Sequence, residues 1–445
     1  MSDKTRRDFL KQTSTTALAA GILGGLQSGA FAAGSDTIRV GLVGCGGRGS
    51  GAARQALSTE GNVQLVAVGD AFVESVDASL TALKKAFETK PERVAVDDDH
   101  KFVGLDAYRK VIDSDVDLVI LATPPGFRPT HFEYAVEKGR HVFMEKPVAV
   151  DAPGVRQVLA AAQKAKAQQL KVGVGLQRRH QNCYLDIVPR IHDGAIGDIT
   201  ALRVYWNSGG VWEPRRARDQ VRSELEYQVW SWYYYNWLSG DHICEQHIHN
   251  LDVGLWLKQQ LPVKARGMGG REVRADKRYG EIFDHHAVEY FFADGTVMSS
   301  TCSHMANCYS DVSEHAIGTK GTVDLNSNSS PKDNRITPFS GEAFVYRGEN
   351  PDPYQVEHDT LFAAIRNGET YDEAESGALS TMASVLGRMC TYSGKEISWD
   401  EALNHGARVT PDNMADLAWD SAPPTVPDVD GAYPVPVPGL TRVLA

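Results

Sequence analysis

Ile38-Arg39-Val40-Gly41-Leu42-Val43-Gly44-Cys45-Gly46-Gly47-Arg48-Gly49 sets an apolar, strand-like run directly before glycines spaced Gly-x-Gly-x-x-Gly. A helical pattern, Ser50–Leu57, follows it. In that context Gly44 allows a tight turn, Gly46 lets the backbone approach a pyrophosphate, and Gly49 allows close helix packing. Gly47 and Arg48 lie inside the same loop and join the predicted contact set. An acid is expected about 20 residues further on, at the tip of the next strand. Asp70 stands there, after the strand-like Val63–Gly69. Its carboxylate is placed to accept hydrogen bonds from an adenosine ribose. No arginine follows immediately to hold a 2′-phosphate, so the site reads as one for NAD rather than NADP.

Strand-like and helix-like segments alternate onward from this loop. Strands are predicted at Leu118–Ala122, His141–Met144 and Lys171–Val174, and helices at Ser75–Glu88, Thr130–Lys138 and Gly154–Ala167. Such alternation implies a parallel sheet with crossover helices, so residues 36–175 are predicted to form a Rossmann NAD-binding domain. Ligands sit at strand C-termini in such sheets. Thr123 and Pro124, in Ala122-Thr123-Pro124-Pro125, therefore fall on the nicotinamide side, although prolines also simply end strands. Glu145 and Lys146 end the run His141-Val142-Phe143-Met144-Glu145-Lys146-Pro147 and, at a strand tip beside the nicotinamide, join the predicted cofactor contacts. A lysine at that tip can polarise a hydroxyl or carbonyl oxygen and lower the pKa of a neighbouring base.

The first 32 residues read differently. Thr5-Arg6-Arg7-Asp8-Phe9-Leu10-Lys11, an apolar stretch from Ala17 to Leu26, and Ala30-Phe31-Ala32 form the pattern of a twin-arginine signal, which exports folded proteins. Residues 1–32 are expected to be removed and the mature protein to reside in the periplasm. No later segment has 18 uninterrupted apolar residues, so no membrane insertion is expected. The formal charge of −11 argues against nucleic acid or anionic membrane surfaces as partners. Six irregularly spaced cysteines in a chain that folds before export read as thiols rather than disulfides. Residues 176–400 are left for a second α/β domain. Residues 401–445, proline-rich from Ser421 to Leu444, read as an extended C-terminal tail.

Taken with the glycine loop and Asp70, the Glu145-Lys146-Pro147 strand resembles the glucose–fructose oxidoreductase / inositol dehydrogenase (Gfo/Idh/MocA) family. The likeness continues in order through Gly194-Ala195-Ile196-Gly197-Asp198-Ile199, Asp284–Phe291, Ile317–Thr322, Glu357-His358-Asp359 and Ile365–Glu369. This resemblance implies a second domain with a large open, mostly antiparallel sheet used for substrate binding and oligomerisation. A homodimer or homotetramer is implied with it.

The densest chemistry lies in Ser239-Gly240-Asp241-His242-Ile243-Cys244-Glu245-Gln246-His247-Ile248-His249-Asn250-Leu251-Asp252. As one helix, this places His242, Glu245, His249, Asp252 and Trp256 on one face, with Glu245 one turn from His249. A carboxylate at that distance can orient an imidazole, and histidine is the natural base near neutral pH. The family pattern here is similar to Asp-x-Gly-x-His-x-x-Asp. His249 and Asp252 fit it, while Glu245 stands for the aspartate and His247 for the glycine. The resemblance therefore makes His249 the catalytic base, with Glu245 and Lys146 beside it. Glu245, His247 and His249 also carry metal-ligand atoms, but their spacing alternates as on a strand and a nicotinamide mechanism needs no metal, so none is assigned. A histidine-rich surface helix is the bland alternative.

Arg178, Arg179 and His180 leave the last Rossmann strand toward the cleft and are assigned to substrate, as are Asp241 and His242. Surface charge explains the arginines equally well. Trp206, Trp212 and the run Trp230–Trp237 suit stacking on sugar rings, or a buried core or subunit interface. The reading that follows is an NAD-dependent oxidoreductase acting on a hydroxyl of a sugar or sugar derivative. The periplasm supplies no free NAD, so the cofactor is expected to stay bound and be recycled by a second sugar or an external electron acceptor. The alternatives are a redox-neutral glycosidase working by transient oxidation and elimination, and a non-catalytic sugar-binding protein on the same fold.

Overall fold

A computed structural model describes residues 36–327 and 333–445. The predicted signal, residues 1–32, lies outside the described residues.

The chain first builds six parallel strands: β1 (Thr37–Val43), β2 (Asn62–Asp70), β3 (Lys101–Val103), β4 (Leu118–Leu121), β5 (His141–Met144) and β6 (Val172–Val174). Their order is β3-β2-β1-β4-β5-β6. β4 is buried at all four residues, as expected for a central strand with helices on both faces. Each predicted strand and helix of this domain is present, with ends displaced by at most three residues. The chain reverses its winding between β1 and β4, and this switch point opens a crevice outside the strand C-termini.

The second sheet has nine strands. In chain order they are β7 (Ile199–Ser208), β8 (Lys264–Gly270), β9 (His285–Phe291), β10 (Val297–His304), β11 (Asp311–Gly318), β12 (Gly321–Leu325), β13 (Arg335–Pro338), β14 (Phe344–Val345) and β15 (Ile397–Ser398). Their spatial order is β14-β13-β12-β11-β7-β10-β9-β8-β15, antiparallel except for the β7–β10 pair. Burial alternates residue by residue along β9 and β10, so one face is covered and the other open. The 20-residue helix Ala374–Ser393 covers the buried face, where Tyr290 Oη donates to the Ala383 carbonyl at 3.0 Å.

Two irregular stretches return to the first domain. Trp230 stacks on Phe72, just past the tip of β2, and an apolar cluster joins Phe72 and Phe127 to Tyr233–Tyr235, Leu417 and Tyr433, with Trp212 and Trp232 packed against it. The C-terminal stretch expected to be an extended tail is irregular beyond His405 and runs along the surface, with a few side chains packed down. Trp399–His405 is helical, so the segment's first residues are not extended. Beyond it Leu417 and Tyr433 are buried and Trp419 stacks on Phe72. The six cysteines are unpaired; five are buried and Cys308 is exposed. Among the described residues no helix is long and apolar enough to cross a membrane.

Candidate active site

The crevice begins at the glycine loop. Gly44 has φ +95°, and its amide donates to the Gly69 carbonyl at 2.8 Å, which closes the turn. A Cβ on Gly49 would sit 1.8 Å from the Gly44 carbonyl oxygen, so only glycine lets the helix Gly47–Ser58 start this close. A Cβ on Gly46 or Gly47 would meet no protein atom within 4 Å; both residues line a cavity of about 280 Å³. No side chain caps this helix and its first turn holds no acid, which leaves its amides free for a phosphate. Asp70, Thr123 and Pro124 line the same cavity. Asp70 accepts the amides of Cys45 at 2.7 Å and Phe72 at 3.0 Å, and burial pushes its carboxyl up. Open glycines, an uncapped helix start and an acid at the tip of β2 together fit a dinucleotide.

The far wall is aromatic and was not assigned to the cofactor from sequence. Phe72 stacks on Trp230 at 3.9 Å and 18°, with Trp419 on Phe72 at 5.5 Å. Arg215 lies over the Trp212 ring at 4.4 Å, and both line the cavity. The tryptophans legible as sugar stackers or core thus, at Trp212, Trp230 and Trp232, line the cavity that Asp70 also lines.

Arg48 lines this cavity and reaches on to the tip of β5. Its Nε is 2.8 Å from Glu145 Oε1 and its guanidinium lies over Tyr354 at 4.7 Å. Arg48 and Glu145, predicted as separate cofactor contacts, are one ion pair tying the glycine loop to the tip of β5. Thr123 Oγ1 meets His131 Nδ1 at 3.2 Å, and the buried Arg128 donates to the carbonyls of Leu121, at 2.7 Å, and Thr123. These bonds fix the loop after β4.

Lys146 reaches the second domain. Its ammonium is 3.1 Å from Glu245 Oε1 and also donates to the Glu245 main-chain carbonyl. Burial raises the Glu245 carboxyl, opposed by the Lys146 charge. His249 follows on the next helix, Ile248–Lys258, with its ring stacked near Trp206 at 6.0 Å. Its Nδ1 is buried without a hydrogen-bond partner. Burial holds this imidazole well below its ordinary value, and the charges of Lys146 and Arg178 push the same way. His249 is therefore neutral near pH 7.

The single amphipathic helix expected over 239–256 is two. His242–Glu245 ends where the His247 amide bonds back to the His242 carbonyl at 3.1 Å, five residues earlier, and Ile248–Lys258 starts after it. This widened turn drives His247 inward, where its Nε2 meets Ser300 Oγ at 2.7 Å. Glu245 pairs with Lys146 and not with His249. Nor do Glu245, His247 and His249 converge as a metal site.

The residues assigned to substrate are committed elsewhere. Arg178, 2% exposed, pairs with Glu314, which also accepts Tyr184 Oη at 2.8 Å and Asn250 Nδ2 at 2.7 Å. Arg179 grips Asp252 through Nε at 2.9 Å and Nη2 at 2.8 Å, and His180 Nε2 is 2.9 Å from Glu373. Asp241 and His242 are fully enclosed. For Arg178, Arg179 and His180 the physical reason is shared: a cationic or imidazole group on a buried segment is held by a carboxylate, whereas Asp241 and His242 are withdrawn by burial.

A parallel dinucleotide-binding sheet whose Lys146 meets a carboxylate of a second domain, with a neutral histidine on the helix that follows, defines a two-domain, NAD-binding oxidoreductase. The chain belongs to the Gfo/Idh/MocA family: residues 38–174 match the model of its NAD-binding Rossmann domain, and residues 184–324 match its C-terminal domain, together more than half of the chain. An inositol 2-dehydrogenase of Rhizobium meliloti is 25% identical over 356 residues, spanning 78% of this chain and 94% of its own. Among solved structures, the aldose–aldose oxidoreductase of Caulobacter crescentus, complexed with glycerol, has a TM-score of 0.63 at 19% identity, covering 81% of this chain and 99% of that one. Scyllo-inositol dehydrogenase of Lactobacillus casei, with bound NAD(H) and scyllo-inositol, gives 0.61 at 20%, covering 82% and 99%. These two likenesses speak to the fold.

Proposed function

We propose that the protein oxidises a hydroxyl-bearing carbon of a cyclic polyol or sugar and keeps its NAD between turnovers. The observation that carries this reading is Lys146 at the tip of β5, joined to Glu245 of the second domain, with a neutral His249 on the helix that follows. The family's named relatives among the inositol dehydrogenases support the substrate class. When bound, NAD accepts a hydride from the substrate carbon. His249 takes the hydroxyl proton, which it can do only in the neutral form that burial enforces. The Lys146 ammonium stabilises the developing alkoxide, and Glu245 orients that ammonium. Gly44, Gly46, Gly49 and Asp70 hold the dinucleotide.

The aromatic wall beside Asp70 supports retention: Phe72, Trp212, Trp230 and Trp232 line the same cavity, and Phe72 is backed by Trp230 and Trp419. Retention fits export. A protein carried out folded behind Arg6-Arg7 takes its cofactor with it and must reoxidise it in place, with a second sugar or an external acceptor. The open face of the nine-stranded sheet is the surface through which two or four copies assemble.

The test uses exported protein purified without added nucleotide, denatured and assayed for nicotinamide before and after exposure to inositols, aldoses and glycosides. Close to one nicotinamide per chain, reduced by a polyol or aldose, is the expected result. No retained cofactor overturns retention. A glycoside cleaved while the cofactor stays oxidised replaces net oxidation with the elimination mechanism.

A further inference from the structure

One cluster of buried groups takes no part in the chemistry above. Asp241 and His242 open the short helix, and His286 comes from β9; all three are enclosed, at 0%, 0% and 2% exposure. Each offers a ligand atom, and the three atoms lie within 4.8 Å of one another. His242 Nδ1 is 2.8 Å from Asp241 Oδ1, and His286 Nε2 is 3.3 Å from Asp241 Oδ2. Neither ring nitrogen makes a hydrogen bond, and His242 Nε2 is unpartnered too. They approach the carboxylate without pointing along a donor–acceptor line. Buried polar atoms left unpaired are expensive, so three of them in one pocket call for an occupant. Ligands of a single ion behave in this way: bonds of about 2.0–2.2 Å to a shared centre hold donor atoms near each other and direct none of them at another.

Charge argues in the same direction. Asp241 accepts the amides of His242 and Phe283, the latter at 2.9 Å, and Tyr392 Oη at 2.6 Å. No lysine or arginine is among these donors; the nearby Arg388 gives Nη1 to the carbonyls of Val150, at 2.7 Å, and Gly240, at 3.1 Å. A fully enclosed carboxylate without a cation is a poor arrangement unless an ion supplies the charge. The supporting contacts of a metal site are also present. His286 Nδ1 meets Thr391 Oγ1 at 2.8 Å, which sets the ring so that Nε2 faces Asp241, and the His304 ring stacks on His242 at 4.5 Å.

We propose that Asp241, His242 and His286 bind one divalent transition-metal ion, with zinc the first candidate for this imidazole–carboxylate set. The ion holds the chain from Asp241 to Glu245 in place, keeping Glu245 against Lys146. Asp241 has φ +70°, a conformation a non-glycine residue adopts only when its surroundings force it. Binding stands on these three residues alone; the positioning role rests on the function proposed for Lys146.

The experiment is elemental analysis of the full chain purified without chelator. Cobalt-loaded protein is examined by visible absorption, and thermal unfolding is followed with and without EDTA. About one ion per chain, cobalt bands of a nitrogen–oxygen site, and a melting temperature lowered by EDTA are expected. His286→Gln, which keeps the size of the ring, should lower the ion content at least tenfold and abolish the EDTA effect while NAD content stays unchanged. Less than a tenth of an ion per chain after loading with zinc, with no EDTA effect, overturns the proposal. So does full metal content in His286→Gln and Asp241→Asn. Should both variants fail to fold, the cobalt spectrum of the wild-type chain decides, since absence of ligand-field bands leaves no site. Loss of NAD content is a separate outcome that counts against the cofactor reading and not against the metal.

Discussion

Lys146 Nζ lies 3.1 Å from Glu245 Oε1 and also donates to the Glu245 main-chain carbonyl, so the tip of β5 and the first turn of the second domain's short helix are one unit. Lys146→Met should therefore lower kcat by roughly 10²–10⁴-fold, the range for loss of a positioned proton-handling group. Nicotinamide content should not change, because the glycine loop and Asp70 are untouched. Steady-state rates alongside cofactor assay check both halves.

His249 is neutral far below the pH at which a free imidazole titrates. The base is ready once its proton is gone, so its acid limb should fall well below pH 6.5, leaving kcat/KM level from pH 8 down to 6.5. His249→Gln should lose roughly 10²–10⁴-fold in kcat. A wild-type limb centred at 6.5 would show that the His249 environment differs from the one described.

Trp230→Ala opens the adenosine end. An aromatic pair contributes roughly 0.5–1.5 kcal/mol beyond the area it buries. With the lost burial of Trp230, NAD should leave at least tenfold faster, and purified protein should need added NAD for activity. Dissociation followed by nicotinamide fluorescence reads this directly.

Glu314 is enclosed and accepts from Arg178, Tyr184 and Asn250. Glu314→Ala leaves the Arg178 charge buried and alone, which should cost about 3–5 kcal/mol of stability. Urea unfolding at pH 7 measures it.

Burial and the charge of Arg128 push His131 down to about 3; burial and Lys171 push His141 to about 4; burial and Arg48 push His358 to about 3. Unfolded, each titrates near 6.5. Between pH 6.5 and about 4 the unfolded chain thus binds more protons, so stability falls as pH drops through this window. Each histidine adds roughly 1.4 kcal/mol per pH unit to the slope. His131→Phe should make the dependence of the urea midpoint on pH shallower by one histidine's share.

The Rossmann half was legible because its signals are local: a glycine spacing, apolar strands, an acid at a fixed distance. Lys146 was singled out by its place at a strand tip, and His249 by the resemblance of its segment to the family pattern. Other features depend on residues far apart in the chain. Nothing near Arg178 announces Glu314, 136 residues away, and nothing in the run 239–252 announces that a widened turn at His247 will split the helix. The charges assigned to substrate were taken by partners that only the fold brings close. Phe72 was likewise unremarkable until Trp230 and Trp419 came to lie beside it.

That stack bears on the order of assembly. Trp419 and Tyr433 lie far along the sequence from Phe72, yet Trp419 stacks on it and Tyr433 shares its apolar cluster. The cluster therefore cannot close until the residues around Trp419 have docked, and a truncation before Trp419 should leave Phe72 stacked on Trp230 alone.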